Sequence, residues 1–345
     1  MIYLQNRKII SITIDDKPDS NWNQRLHKVP TGTIFQTFQY GQYFKKRYGG
    51  KPIYLKFYNN HKKLVAQLLA FKLFKGRGKL TQIFGRNHFN SMAKVASKVL
   101  PKYLRWNFGP VIFENDYKCE IIESLGNFII SNNLKFQGSP HPLNSNYEFP
   151  STFGFVREES ATFIIDLRDG YEKILHNMDK RSARKNVKRS QERGVTITEI
   201  KSKNDLMLYH ELQLGHRKKN NLIQYSFDDI KKWKELLGPL GTIGFLAWYN
   251  NAPVAGIFIT TFNGYIQQSG SIRSIIDTNE KLHSQDLLKW HIINWGIEQD
   301  CNYYDLAGVN INNPSIKEQG IYKHKKKWGG KLITFPTYTN MGNRH

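Results

Sequence analysis

Asp305 ends a short alternating run, Tyr303-Tyr-Asp-Leu306, and two small residues, Ala307 and Gly308, follow it. A carboxylate and bare backbone at the end of a strand suit the carboxyl edge of an open α/β sheet, where ligands bind. A site is therefore expected beside Asp305 to Gly308. Further on stands a glycine-bounded basic run, Gly320-Ile-Tyr-Lys-His-Lys-Lys-Lys-Trp-Gly-Gly330. A third stretch, Lys180 to Arg193, holds seven Lys/Arg and a single acid. Its Arg181, Arg184, Lys185, Lys188 and Arg189 recur at helical spacing and so share a face, with Ala183, Val187 and Ser190 on the other and Gly194 as C-cap. Such a face neutralises phosphates. No base-reading motif accompanies it, so backbone contact is expected rather than sequence readout.

Other chemistries lack their residues. Lys75-Gly-Arg-Gly-Lys79 has glycines but no Gly-Lys-Ser/Thr, and Leu73 stands where an acetyl-CoA loop would carry Arg or Gln, so this run reads as a turn. The eleven histidines include no His-Glu-x-x-His pair, and neither of the two cysteines, Cys119 and Cys301, has zinc-site spacing. There is no Gly-x-Ser-x-Gly elbow. Covalent and metal-dependent catalysis are both disfavoured; no metal and no cofactor is expected.

The elements that must position these residues come from a chain of 345 residues, 39% hydrophobic and 13% aromatic, enough for roughly two domains with cores of their own. No apolar run approaches the ~18 residues of a membrane span, and the N-terminus lacks a signal peptide's pattern, so the expectation is cytoplasmic with no transmembrane segment. The formal charge of +23 points to a polyanionic partner without choosing among nucleic acid, membrane surface and phosphate-rich substrate.

Leu288, Ile292 and Trp295 lie on one helical stripe, widened by Leu287, Ile293 and Ile297, so the helix before Tyr303 belongs to the core. Thr31 to Lys46 reads as a strand entering an aromatic helix. Pro52 to Tyr58 and Leu64 to Phe74 form a hairpin about Asn59-Asn60, and Ile243 to Tyr249 and Val254 to Phe262 form another about Asn250-Asn251. In both places a helix and then a strand follow: Cys119 to Ile130 into Leu134 to Phe136, and Leu287 to Ile297 into Tyr303 to Leu306. The order recurs about 190 residues apart, which reads as an internal duplication. The expected organisation is one domain over 1–155, a second over 156–330, and a closing strand with tail over 331–345.

With these pieces placed, the chain resembles the Fem family of peptidyltransferases (FemA, FemB, FemX and relatives). The likeness rests on the basic helix running into Gly194-Val195, the hairpin leading to Ser269-Gly-Ser271, the segment Trp290 to Gly308 with Tyr304-Asp-Leu-Ala-Gly308, and Gly320 to Gly330. It is close across Thr162 to Gly330 and weaker before. It implies an α/β protein with mixed sheets: two GNAT-like acyltransferase domains with a cleft between them, the last strand returning to domain one.

The resemblance also implies the chemistry. Members move an aminoacyl group from aminoacyl-tRNA to an amine of a cell-wall precursor, so the implied partners are aminoacyl-tRNA as donor and a nucleotide-sugar-peptide or other amine as acceptor. The family's closing Phe-Lys pair falls on His324 and Lys325. Lys325, flanked by Tyr322 and Trp328 on a glycine-bounded turn, is then the candidate cation for a tetrahedral oxyanion, a role that suits a pKa near the ordinary ~10.4. From spacing alone it is one solvated lysine among four. Asp305 would orient the amine or a lysine. Tyr304, Gly308, Tyr322, His324, Gln268 and Tyr265 are the implied substrate contacts, although Gln137 and Gln268 stand where FemX-like sequences have an acid and a tyrosine. Arg181, Arg184, Lys185, Lys188 and Arg189 would meet tRNA. Two rivals remain at this stage: an N-acyltransferase of the same fold using an acyl thioester, and a non-catalytic RNA-binding module.

Overall fold

The computed structural model describes residues 9–74, 102–144, 146–220, 222 and 224–341. The loop Lys75 to Lys79 lies outside them. The chain divides into two compact units, one running to Ser160 and taking back Thr334 onward, the other covering Ala161–Ile333.

In the first unit the strands are β1 (Ser11–Asp15), β2 (Lys51–Tyr58), β3 (Leu64–Phe74), β4 (Lys102–Trp106), β5 (Val111–Ile112) and β6 (Lys135–Gly138), with helices α1 (Trp22–Leu26), α2 (Phe38–Tyr48) and α3 (Lys118–Ser131). Thr31 to Lys46 contains no strand. Thr33 and Thr37 cap two successive helical turns, Ile34–Gln36 and α2, through their side-chain oxygens, so the backbone turns where extension was expected. Strands run β1-β2-β3-β4-β6, antiparallel except for the parallel β4/β6 pair. Phe44 of α2 stacks on Phe71, ring centroids 3.9 Å apart. Elsewhere in this unit Ile121, Leu125 and Ile129 of α3 join Leu68, Phe136 and Tyr338 in one core.

The second unit holds β7 (Val156–Asp166, from Ala161 on), β8 (Thr196–Glu199), β9 (Thr242–Tyr249), β10 (Ala252–Phe262), β11 (Tyr265–Arg273) and β12 (Tyr303–Val309). Its helices are α4 (Gly170–Asn177), α5 (Lys185–Glu192), α6 (Lys203–Lys219), α7 (Phe227–Leu237), α8 (Ile275–Asn279), α9 (Ser284–Glu298) and α10 (Ile316–Lys326). Strands run β8-β9-β10-β11-β12-β7, antiparallel except for the parallel β11/β12 pair. Alternate residues of β10 serve opposite layers: Ala255, Ile257 and Ile259 pack in the core that holds α9, and Phe258 packs with Tyr209 of α6 and Ile230 of α7. That double burial explains why β10 reads as an unbroken apolar run.

The succession of pairings is the same in the two units, including the single parallel pair before the last strand. β13 (Lys331–Thr339) pairs antiparallel with β6 through Tyr338 and Thr339, the place that β7 takes beside β12. Both units are mixed α/β sheets, and the last strand belongs to the first unit from Thr334 on, in keeping with the expected return. The two hairpin turns differ. Asn250 and Asn251 are both left-handed (φ 48° and 60°), a two-residue turn of the kind that suits strand twist. The first turn is longer, because Asn59 Oδ1 accepts from both His61 N and Lys63 N and Lys62 takes the positive φ. Among the described residues no helix is long and apolar enough to cross a membrane.

Candidate functional site

β12 and β7 pair regularly up to Asp305 opposite Ile164, then shift so that Gly308 faces Thr162. One extra residue is accommodated there, and Ala307 takes φ 64°, a left-handed conformation that costs a non-glycine residue roughly 1–2 kcal/mol. The bulge turns two carbonyls toward α10. Lys325 Nζ donates to Ala307 O at 2.9 Å and to Gly308 O at 2.8 Å. An ammonium has three N–H bonds, so one remains for a ligand oxygen.

Lys325 is neither on a turn nor solvated. It sits in the last turn of α10 and is 9% exposed. Burial pushes its pKa down to about 8, only partly opposed by the Asp305 carboxylate, so the ordinary lysine value expected from the sequence does not apply. Ser315 and Glu318 form a capping box that starts the helix. Gly329 ends the motif with φ 76°, and a Cβ there would lie 2.5 Å from Asn177 O; at Gly330 it would lie 2.8 Å from Ile164 O. The glycine pair is therefore a packing requirement that seats α10 against β7 and α4.

Asp305 is 1% exposed and surrounded by donors. Tyr265 Oη donates to Oδ2 at 2.7 Å, Gln267 Nε2 to Oδ2 at 3.4 Å, Ala307 N to Oδ1 at 2.8 Å, and Thr162 Oγ1 to Oδ1. Burial raises its pKa and these donors oppose the rise. With both oxygens engaged in these bonds, Asp305 holds the bulge whose two carbonyls fix Lys325. Two implied contacts move behind the surface. Tyr304 is fully buried and donates to Gln268 Oε1 at 3.1 Å, and the Tyr265 hydroxyl is spent on Asp305. Gly308 is exposed, has no positive φ, and a Cβ there would meet nothing closer than Ala161 O at 3.7 Å. Tyr322 packs edge-on against Phe163, centroids 5.1 Å apart.

A second polar cluster joins α5, α9 and the end of α10. Lys327 Nζ and Asn186 Nδ2 both donate to Asp286 Oδ2 at 2.7 Å, and Lys327 and Asp286 are nearly buried. Lys289, 2% exposed, is held down to about 8 by burial, against the pull of Asp286. His324 falls to about 3 through burial and then the charges of Lys289 and Lys327, so it is a neutral imidazole at neutral pH. Sequence reading passed over Thr162, Gln267, Asp286, Lys289 and Lys327. A signal existed for one pair: Asp286 and Lys289, three apart, are charges flanking the apolar stripe of a helix that reads as core.

The basic stretch is not one uniform helix. Lys180–Arg184 is a π turn capped by Asp179, whose Oδ1 accepts from Ser182 N at 2.7 Å, and α5 follows. Ala183, Val187 and Ser190 are buried, and Arg181, Lys185, Lys188 and Arg189 are exposed. Arg184 departs from the expected set. Its guanidinium donates to Met178 O at 2.9 Å and His176 O at 2.7 Å, satisfying carbonyls at the end of α4 instead of facing a partner. Among the described residues no group of three or more His, Cys, Asp and Glu is arranged to hold a metal ion.

No protein-family model matches the chain, and no curated protein matches its sequence. Solved structures do match. FemX aligns over 95% of this chain and 96% of its own at 10% identity, with a TM-score of 0.70. This chain has the FemX fold. A conserved protein of unknown function from Bacteroides thetaiotaomicron follows at 14% identity, 95% and 99% coverage and TM-score 0.59, and L-PGS from Bacillus licheniformis at 13%, 89% and 93%, and 0.54. At these identities the likeness concerns the fold, and the side chains carry the chemistry.

Proposed function

We propose that this protein is an aminoacyltransferase of Fem type, taking an aminoacyl group from aminoacyl-tRNA and passing it to an amine of a cell-wall or surface-polymer precursor with formation of an amide. The observation that carries this reading is Lys325: a nearly buried ammonium, fixed by two carbonyls of a strained bulge, with one N–H uncommitted. When an amine adds to an ester carbonyl, negative charge develops on the oxygen, and a cation already in place and shielded from water stabilises it without reorganising. Asp305 and Tyr265 support the bulge, and Gly308 leaves backbone open for a substrate. The exposed Arg181, Lys185, Lys188 and Arg189 would run along tRNA phosphates, and use of charged tRNA places the reaction in the cytoplasm.

The test is transfer from charged tRNA to candidate amines, followed by mass spectrometry of the product. Lys325→Met is expected to lower turnover by about a hundredfold or more, the scale of one lost oxyanion donor. Near-normal turnover in a folded variant removes Lys325 from the mechanism. Activity that survives ribonuclease but needs an acyl thioester assigns the donor to the rival class.

A further inference from the structure

Between α6 and α8 lies a cavity of about 750 Å³ in the second unit, with Leu208, Leu212, Pro253, Ile275 and Ile276 as its apolar lining. That volume is within the range of small-molecule sites. Its polar wall carries two cations, Lys219 and Arg273, with the His216 imidazole, against the single acid Glu211. Lys317 adds to this field. The His216 imidazole is held below its usual range by burial and then by Arg217, Lys317, Arg273 and Lys219.

Beside these cations stand aliphatic side chains in water. Ile275 is 55% exposed, Ile276 44%, and Ile316, the residue before Lys317, 89%. The first two are not on a loose loop. Ser274 Oγ accepts from Asp277 N, and the buried Asp277 carboxylate accepts from Ser284 N at 2.9 Å, so both ends of the turn that carries them are pinned. A pinned turn that holds two adjacent isoleucines outward, next to Arg273, Lys219 and Lys317, has the pattern of an interfacial anchor: apolar groups to enter the acyl boundary and cations for anionic headgroups.

We propose that this face docks on a lipid bilayer bearing anionic headgroups, with Ile275 and Ile276 entering the interface and Arg273 and Lys219 meeting lipid phosphates at the cavity. Charge complementarity favours an anionic partner, and the lining favours lipid over RNA. Single-stranded nucleic acid is held by aromatic platforms on which bases stack, and no Phe, Tyr or Trp is among the residues lining this cavity. None of these residues belongs to the Lys325 site, so docking and transfer are tested separately.

The experiment is co-sedimentation of the full chain with phosphatidylcholine vesicles and with vesicles containing phosphatidylglycerol, at about 0.1 M and about 0.5 M salt, where exposed charges are increasingly screened. The wild type is expected to prefer the anionic vesicles and to keep part of its binding at high salt. Ile275→Ser with Ile276→Ser, which leaves the charge unchanged, is expected to lower partitioning about tenfold and to abolish the salt-resistant part. Lys219→Glu with Arg273→Glu is expected to remove the preference for anionic vesicles. Both pairs of changes lie at the surface, and circular dichroism checks the fold. The proposal is overturned if the double serine variant partitions like the wild type, which means general adsorption of a cationic chain. It is equally overturned if the wild type ignores vesicles, or if the serine variant loses tRNA affinity while vesicle binding is intact.

Discussion

A buried ammonium carries a stability cost that a purely structural residue would not keep. Lys325 has a folded pKa of about 8 against an ordinary 10.5. The fold therefore favours its neutral form, and between those two values the unfolded chain binds more protons, so stability rises with pH across that window. Below about pH 8 the full penalty is present. Lys325→Met is accordingly expected to be more stable than the wild type at pH 7, by on the order of 1–3 kcal/mol, with the gain shrinking as pH climbs from about 8 toward 10.5. Gly308 is exposed and Ala307 partly so, which lets water take over the two carbonyls. Chemical denaturation at several pH values measures this; a variant less stable than the wild type at pH 7 would mark the lysine as a structural tie. In the wild type, turnover that depends on the ammonium should fall as pH rises through about 8. Gly308 supplies a further test, because a Cβ there fits and no positive φ is required. Gly308→Ala should keep the wild-type melting temperature yet raise KM several-fold, since a methyl would stand where a substrate approaches the backbone; an unchanged KM would place the substrate elsewhere.

At the scale of elements, the bulge and the π turn both show a regular pattern interrupted to aim something. In β12 the extra residue lets a strand that is otherwise core present two carbonyls to α10. In the basic stretch the π turn brings Arg184 back to the α4 carbonyls and leaves Lys185 and Arg189, one turn apart on α5, exposed. If α5 meets tRNA, Lys185→Glu with Arg189→Glu should weaken binding and flatten the dependence of log affinity on log salt by about one to two, since each lost phosphate contact removes roughly 0.7–0.9 from the slope. Parallel lines at equal height in a salt series would exclude α5 as the contact.

For the whole molecule, the chain crosses from the first unit to the second and comes back. The returning segment is built into the first unit's core: Tyr338 packs edge-on against Phe149 at 5.0 Å, Thr339 Oγ1 donates to Phe136 O at 2.8 Å, and the Asn340 side chain bonds to Phe136 N and Leu134 O at 2.9 Å each. Removing residues 334–345 should therefore unfold the first unit while the second, whose core is its own, keeps a cooperative transition. Calorimetry with proteolysis reads this directly, and a truncated chain whose first unit resists protease would contradict it.

Periodicity in the sequence was enough for the core helix α9, for the β9–β10 hairpin with its Asn-Asn turn, and for the repeated order of hairpin, helix and strand. These depend on neighbours three, four or two residues apart, which the chain itself spells out. The stretch Asp305 to Gly308 reads as a site because an acid followed by two small residues is a local pattern, although the strand runs on past it to Val309. What no spacing could reveal was which charges are buried. Lys325 reads like the lysines around it until α10 packs against the bulge, and Asp305 reads as a free carboxylate until Thr162, 143 residues earlier, and Tyr265 and Gln267, about 40 earlier, close around it. Arg184 fits the basic face by count and leaves it because the α4 carbonyls need donors. Burial and partner choice are set by contacts distant in sequence, so the depressed pKa of Lys325 and the partners of Asp305 were decided by the tertiary structure alone.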